Sequence, residues 1–114
     1  MSVKLTTRQV GDVTVIDANG RITLGEGSST FRDTIKDLTA RGNKKLLLNL
    51  GDVSYIDSSG IGEMVSGFTS VTNQGGELKL LHLNKRVKDL LQITKLYTVF
   101  DVFEDEAAAV RSFS

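Results

Sequence analysis

The 114-residue chain contains no cysteine, no proline, no tryptophan and one histidine. Without cysteine it can form no disulfide, present no thiol nucleophile and build no thiolate metal site. That usage fits a reducing cytosol. Without proline, no stretch reads as a stiff linker. Net charge is missing too: 14 basic residues balance 14 acidic ones. Nothing therefore marks a surface for nucleic acid or for an anionic membrane. No apolar run approaches the ~18 residues of a membrane span, and "MSVKLTTRQVGDV" lacks the apolar core of a secretory signal. These absences point to a soluble, cytoplasmic protein, without a metal or cofactor of its own, that acts through another protein. What is present is ordinary for a folded chain: 39% hydrophobic and 25% charged residues argue against disorder. The length suits one domain, residues 1–114.

Hydrophobic periodicity divides the chain into alternating strands and helices. Val3–Arg8 alternates weakly and "VTVIDA" (13–18) follows, with Gly11 and Asp12 between, which is the pattern of a β-hairpin. "NGRITLGEGSS" carries three glycines without a period and reads as a connection. From Ser28 onward Phe31, Ile35 and Leu38 recur at helical spacing, with Arg32, Asp33, Lys36, Asp37 and Arg41 on the other face and Gly42 as a stop. "KKLLLNL" is a strand covered on both faces. "GDVSYID" reads as a connection with Val53, Tyr55 and Ile56 turned inward.

A second helix carries Ile61, Met64, Val65, Phe68, Val71 and Thr72 in one stripe and stops at Gly75-Gly76. "ELKLLHL" is the next strand. Asn84 is placed to cap a third helix bearing Val87, Leu90 and Leu91. "YTVFDVF" reads as a last, edge strand, and "EDEAAAVRSF" as a closing helix with acids in its first turn, where the macrodipole favours them. The expected fold is an α/β sandwich: a mixed sheet of four to five strands, an N-terminal hairpin and about four helices.

The second helix is unusual on its outer side. At 100° per residue, Gly62, Ser66, Thr69, Ser70 and Asn73 lie opposite the core stripe, with Glu63 and Gly67 flanking. Between Ser58 and Gly76 the single charged residue is Glu63. Short, uncharged side chains lose little rotamer freedom when covered and let another backbone approach closely. A partner surface and burial under the rest of the fold account for this equally well.

Three roles compete for the serines of "SYIDSSGIGEM" (54–64). The first is structural: Asp57 and the serines can accept hydrogen bonds from the unpaired N–H groups of the helix, worth ~1 kcal/mol. The second is a nucleophilic serine, but D-S-S-G is not the G-x-S-x-G elbow, and the sole histidine, His82, sits within a strand-like run where a packed core role is commoner. The third is a phosphoacceptor. A helix N-terminus tolerates a phosphate, which adds ~1.5 to 2 negative charges beside Asp57. A partner covering that corner would then bury unpaired charge at a cost of ~2 to 5 kcal/mol, or tens- to thousands-fold in affinity.

Over nearly its whole length the sequence resembles STAS domains of the anti-sigma factor antagonist family. The resemblance rests on "LLLNLGDVSYIDSSGIGEMVSGF" and on "NQGGELKLLHLNKRVKDLLQITKLYTVFDVFEDEAAAV". It is most specific in "L-x-D-V-S-Y-I-D-S-S-G-I-G", "GG-x-L-x-L" and "V-x-x-L-L-x-I-T-x-L". It implies a non-enzymatic protein whose unphosphorylated form binds an anti-sigma factor that is also a serine kinase, so that a sigma factor is released. ATP belongs to the kinase, whose phosphorylation of the antagonist separates the pair until a phosphatase restores it.

The family's acceptor hydroxyl follows the Asp and falls on Ser58. Asp57, Ser59, Gly60, Gly62, Glu63, Ser66, Thr69, Ser70 and Asn73 become contact candidates, with Arg21 and Thr23 beside them. Where the family often carries G-E-[IL]-D, near the acceptor serine, this chain has Gly20-Arg21-Ile22-Thr23; the resemblance therefore implies that Arg21 could pair with a phosphate on Ser58. "GRITLGEG" lacks the G-K-[ST] of a phosphate-binding loop and reads as a turn. The alternative function is a non-switching STAS scaffold or a lipid- or nucleotide-binding accessory; a hydrolase ranks third. The uncharged helix and the edge strand permit a monomer or a weak homodimer.

Overall fold

A computed structural model describes residues 3–23 and 25–113. Strands β1 (Val3–Val10) and β2 (Val13–Ile22) form the hairpin, and α1 (Glu26–Ala40) leads to β3 (Lys45–Ile56). Helix α2 (Ser58–Asn73), β4 (Glu77–Leu81) and α3 (Lys85–Ile93) follow, then a 3-10 turn (Leu96–Thr98), β5 (Val102–Phe103) and α4 (Glu106–Ser112). The sheet order is β1-β2-β3-β4-β5, with β1 antiparallel to β2 and all other pairs parallel. This is the expected mixed five-stranded sheet with an opening hairpin and four helices.

Alternation along the strands gives the sheet two unequal faces. Ile16, Ala18, Leu46, Leu48, Leu50 and Leu80 point into the main core with Phe31 and Ile35 of α1, Met64 and Val71 of α2, and Val87 and Leu91 of α3. On the other face Val13, Val15, Leu47 and Leu81 form a smaller cluster with Ala109 and Phe113 around α4, edged by Val10, Phe103 and Val110. "KKLLLNL" is therefore buried on both sides, as a parallel strand should be. Lys79, 8% exposed, lies under this smaller layer. Its Nζ donates to the Ser112 carbonyl and hydroxyl at 3.0 Å each and sits over the Phe113 and Phe103 rings.

Several sequence expectations change. Strand β2 runs on through Arg21 to Ile22, and β3 continues through "GDVSYI" rather than ending at Leu50. Both stretches pair with each other across register shifts near Asn19 and Arg21, so polar and glycine residues that break the period still hydrogen-bond as strand. "YTVFDVF" is not a continuous strand: Lys95 turns left-handed (φ 62°) into the 3-10 turn, and only Val102 and Phe103 pair with β4. Phe100 instead packs edge-on against Phe68, ring centroids 5.4 Å apart. Thr72 is exposed rather than part of the core stripe. His82 stands just past β4 at φ 58°, half-buried instead of packed within the strand.

Candidate functional site

The loop between β3 and α2 is held from both sides. Parallel pairing sets Arg21 opposite Tyr55 and Ile22 opposite Ile56, and the Asp57 N–H donates to the Ile22 carbonyl at 3.3 Å. Asp57 is the cap of α2: its Oδ1 accepts the Gly60 N–H at 2.9 Å. The structural role weighed for the D-S-S run thus falls on the aspartate. Ser58 begins the helix with an exposed side chain, and Ser59 is half-buried. Gly60, a contact candidate on sequence, is buried: a β-carbon there would lie 2.3 Å from the Ile22 carbonyl oxygen and 2.7 Å from Ile56 Cγ2. It serves the close seating of α2 on β2 rather than presenting surface.

The outer side of α2 divides by neighbour. Ser58, Gly62, Ser66, Thr69 and Asn73 are all exposed, and helical geometry sets them within about 80° of arc. The acceptor candidate therefore lies on the same uncharged stripe. The flank nearer α1 is covered. Gly67 is buried within 3.5 Å (as a built β-carbon) of Phe31, and Glu63 receives Arg32 at 3.0 Å. Ser70, half-buried, accepts from Gln74. Burial under the rest of the fold thus accounts for the flank at Glu63 and Gly67, while the stripe from Ser58 to Asn73 is left exposed. Thr23 is half-buried beyond the end of β2.

Beside Ser58 opens a groove of about 660 Å³, lined by Tyr55, Ile56, Asp57 and Ser58 on one side and by Lys85, Arg86, Asp89, Leu90 and Ile93 of α3 on the other. Asn84 anchors that second wall. Its side chain accepts the Val87 N–H at 2.9 Å, capping α3, and donates to the Val53 carbonyl of β3. Sequence reasoning missed this wall. The signal was Arg86, Leu90 and Ile93 at i, i+4 and i+7, one helical face that includes Ile93 at 77% exposure. His82 lies apart, against Gly51, and lines no part of this groove.

On the opposite sheet face Arg8 bridges two carboxylates. It meets Asp17 at 2.6 Å and Glu106 of α4 at 3.1 Å. Both carboxyl groups are held below their ordinary range, chiefly by the hydrogen bond from Arg8, and the guanidinium is correspondingly raised, first by Glu106 and then by Asp17. This clamp fastens α4 to the hairpin and does not touch the groove.

A model of the STAS domain matches residues 4–109, and the chain belongs to that family. Among curated proteins, the anti-sigma-B factor antagonist of Bacillus subtilis is 40% identical over 72 residues, 63% of this chain and 65% of that protein, just under two thirds of its length. The crystal structure of the Thermotoga maritima protein TM1081 superposes with a TM-score of 0.88 at 25% identity, covering 96% of this chain and 93% of that one. An anti-sigma factor antagonist from Mycobacterium paratuberculosis shares the fold with a TM-score of 0.86 at 15% identity, covering 98% and 94%. Among the described residues no helix is long and apolar enough to cross a membrane.

Proposed function

We propose that this protein is an anti-sigma factor antagonist switched by phosphorylation of Ser58. In its unmodified form it docks through the Ser58 corner and the exposed stripe of α2 onto an anti-sigma factor that is also a serine kinase, and a sigma factor is set free. Transfer of the ATP γ-phosphate to Ser58 ends the docking, and a phosphatase reverses it. One observation carries the reading: Asp57 holds the helix cap while Ser58 stands exposed on a charge-free stripe. A phosphate can therefore be added without removing a bond the fold needs. It places about two negative charges where a partner would have to bury them. The naming of the Bacillus subtilis relative supports the same assignment.

The open groove beside Ser58 favours a second reading, a STAS module that binds a ligand or scaffold partner without switching. Pulldown with a cognate ATPase-type serine kinase separates the two. Ser58→Ala is expected to stay bound, and Ser58→Asp to lose affinity tens-fold or more. Intact mass should show a single phosphate added to the wild type and none to Ser58→Ala. Equal retention of wild type, Ala and Asp forms would replace the switch with the scaffold.

A further inference from the structure

Two guanidinium groups rest on one ring beside Ser58. The Arg21 Cζ lies 5.2 Å and the Arg86 Cζ 5.0 Å from the centroid of Tyr55, both within cation–π reach. Arg21 comes from β2 and Arg86 from the first turn of α3, and both are exposed. Three of the other four arginines offer their guanidinium to carboxylates: Arg8 to Asp17 and Glu106, Arg32 to Glu63, Arg41 to Asp37. Neither Arg21 nor Arg86 has such a partner among the described residues. Asp89, the carboxylate of the α3 wall, is engaged by Lys85 at 3.5 Å, and Asp57 caps α2. An aromatic face holds a guanidinium in place without consuming its five N–H donors.

We infer that Arg86 and Arg21 form a receptor, within the same chain, for the phosphate of phosphoserine 58; the inference rests on the proposed modification of that serine. Arg86 and Ser58 line the same groove from opposite walls, so a phosphate on the Ser58 oxygen projects into the volume that Arg86 borders. The planar fork matches two phosphate oxygens at once, and a dianion is a stronger partner than a ring face. Capture draws the α3 arginine from Tyr55 toward Ser58 across the mouth of the groove. The modified corner is then altered in shape as well as in charge, and the phosphorylated protein is itself stabilised. Bare charge loading makes a different forecast: the helix N-terminus favours the dianion and Asp57 opposes it, so without capture the titration would not depend on Arg86 or Arg21.

The sign of that effect is measurable without any kinase. Phosphoserine is installed at position 58 during translation, and the full chain is titrated by phosphorus NMR against a phosphopeptide of residues 53–62. The charged groups lining the groove are Asp57, Asp89, Lys85 and Arg86, with Arg21 adjoining through Tyr55. Capture predicts that the protein's phosphate holds its second proton about tenfold more weakly than the peptide's. Arg86→Gln combined with Arg21→Gln should reverse this, and Arg86→Lys should restore part of it. The modified wild type should also melt at a higher temperature than the unmodified protein. A phosphate that titrates with or above the peptide, or modification that leaves the melting temperature unchanged or lowers it, overturns the receptor. A kinase that leaves Ser58 untouched would sink the proposed switch alone, since the installed phosphate still reports on Arg86 and Arg21.

Discussion

Gly60 and Ile22 approach so closely that a β-carbon on Gly60 would stand 2.3 Å from the Ile22 carbonyl oxygen. Backbone cannot retreat from such a contact without unseating the first turn of α2. Two residues on, Gly62 has open space around it and faces outward on the proposed docking stripe. The two glycines of "SSGIG" thus do opposite things.

Alanine at each position should separate them. Gly60→Ala is expected to destabilise the fold by about 1–3 kcal/mol through overpacking. Gly62→Ala should stabilise it by roughly 0.5–1 kcal/mol, since alanine is the better helix former and nothing obstructs it. Thermal unfolding of both variants checks the pair, and a stabilised Gly60→Ala would contradict the contact.

Asp57 is expected to matter to folding through its cap. Asp57→Ala should cost about 1 kcal/mol, while Asp57→Asn, which keeps an acceptor oxygen, should cost only a few tenths. Urea unfolding midpoints decide this. An asparagine variant as unstable as the alanine would mean that the carboxylate charge, not the hydrogen bond to Gly60, does the holding.

The Arg8 clamp predicts acid sensitivity of a definite sign. Asp17 and Glu106 are lowered in the folded protein, so the unfolded chain binds protons more readily as acid is added. The stabilisation is complete above the ordinary carboxylate range and is lost as pH falls from about 5 through the depressed folded values. Arg8, Asp17 and Glu106 keep 42, 31 and 35% of their side-chain surface in water, so solvent screening limits the gain to about 1 kcal/mol. Arg8→Gln should remove that share at neutral pH and flatten the acid loss. Melting curves from pH 7 to pH 3 compare the two proteins, and parallel curves would show that the clamp contributes nothing.

Periodicity and caps made most of the architecture legible. The hairpin around Gly11, the doubly buried "KKLLLNL", the helix stopped by Gly42 and the helices opened by Asn84 and the 104–106 acids follow from local rules, because each signal is complete within a few residues. The placement of Ser58 at the mouth of a helix was equally plain. The extension of β2 and β3 was not. Arg21, Asp52 and Ser54 break any hydrophobic alternation; Arg21 and Asp52 are strand through pairing across the sheet, and Ser54 sits at a register shift between them. The 3-10 turn inside "YTVFDVF" was hidden for a related reason, since Phe100 is taken inward by Phe68, more than thirty positions away in sequence.

By itself, then, the amino-acid order determined the alternation of elements, the chemistry of the D-S-S-G corner and the lack of charge along α2. Those properties are carried by neighbouring residues and need no knowledge of the distant chain. Tertiary structure alone decided that the Asp57 backbone is tied to Ile22 of β2, that Gly60 is sealed against β2, and that α3 brings Arg86 to the far wall of the Ser58 groove. Each depends on contacts between segments that meet only when the sheet has formed. No local propensity encodes which side chain will face which across that space.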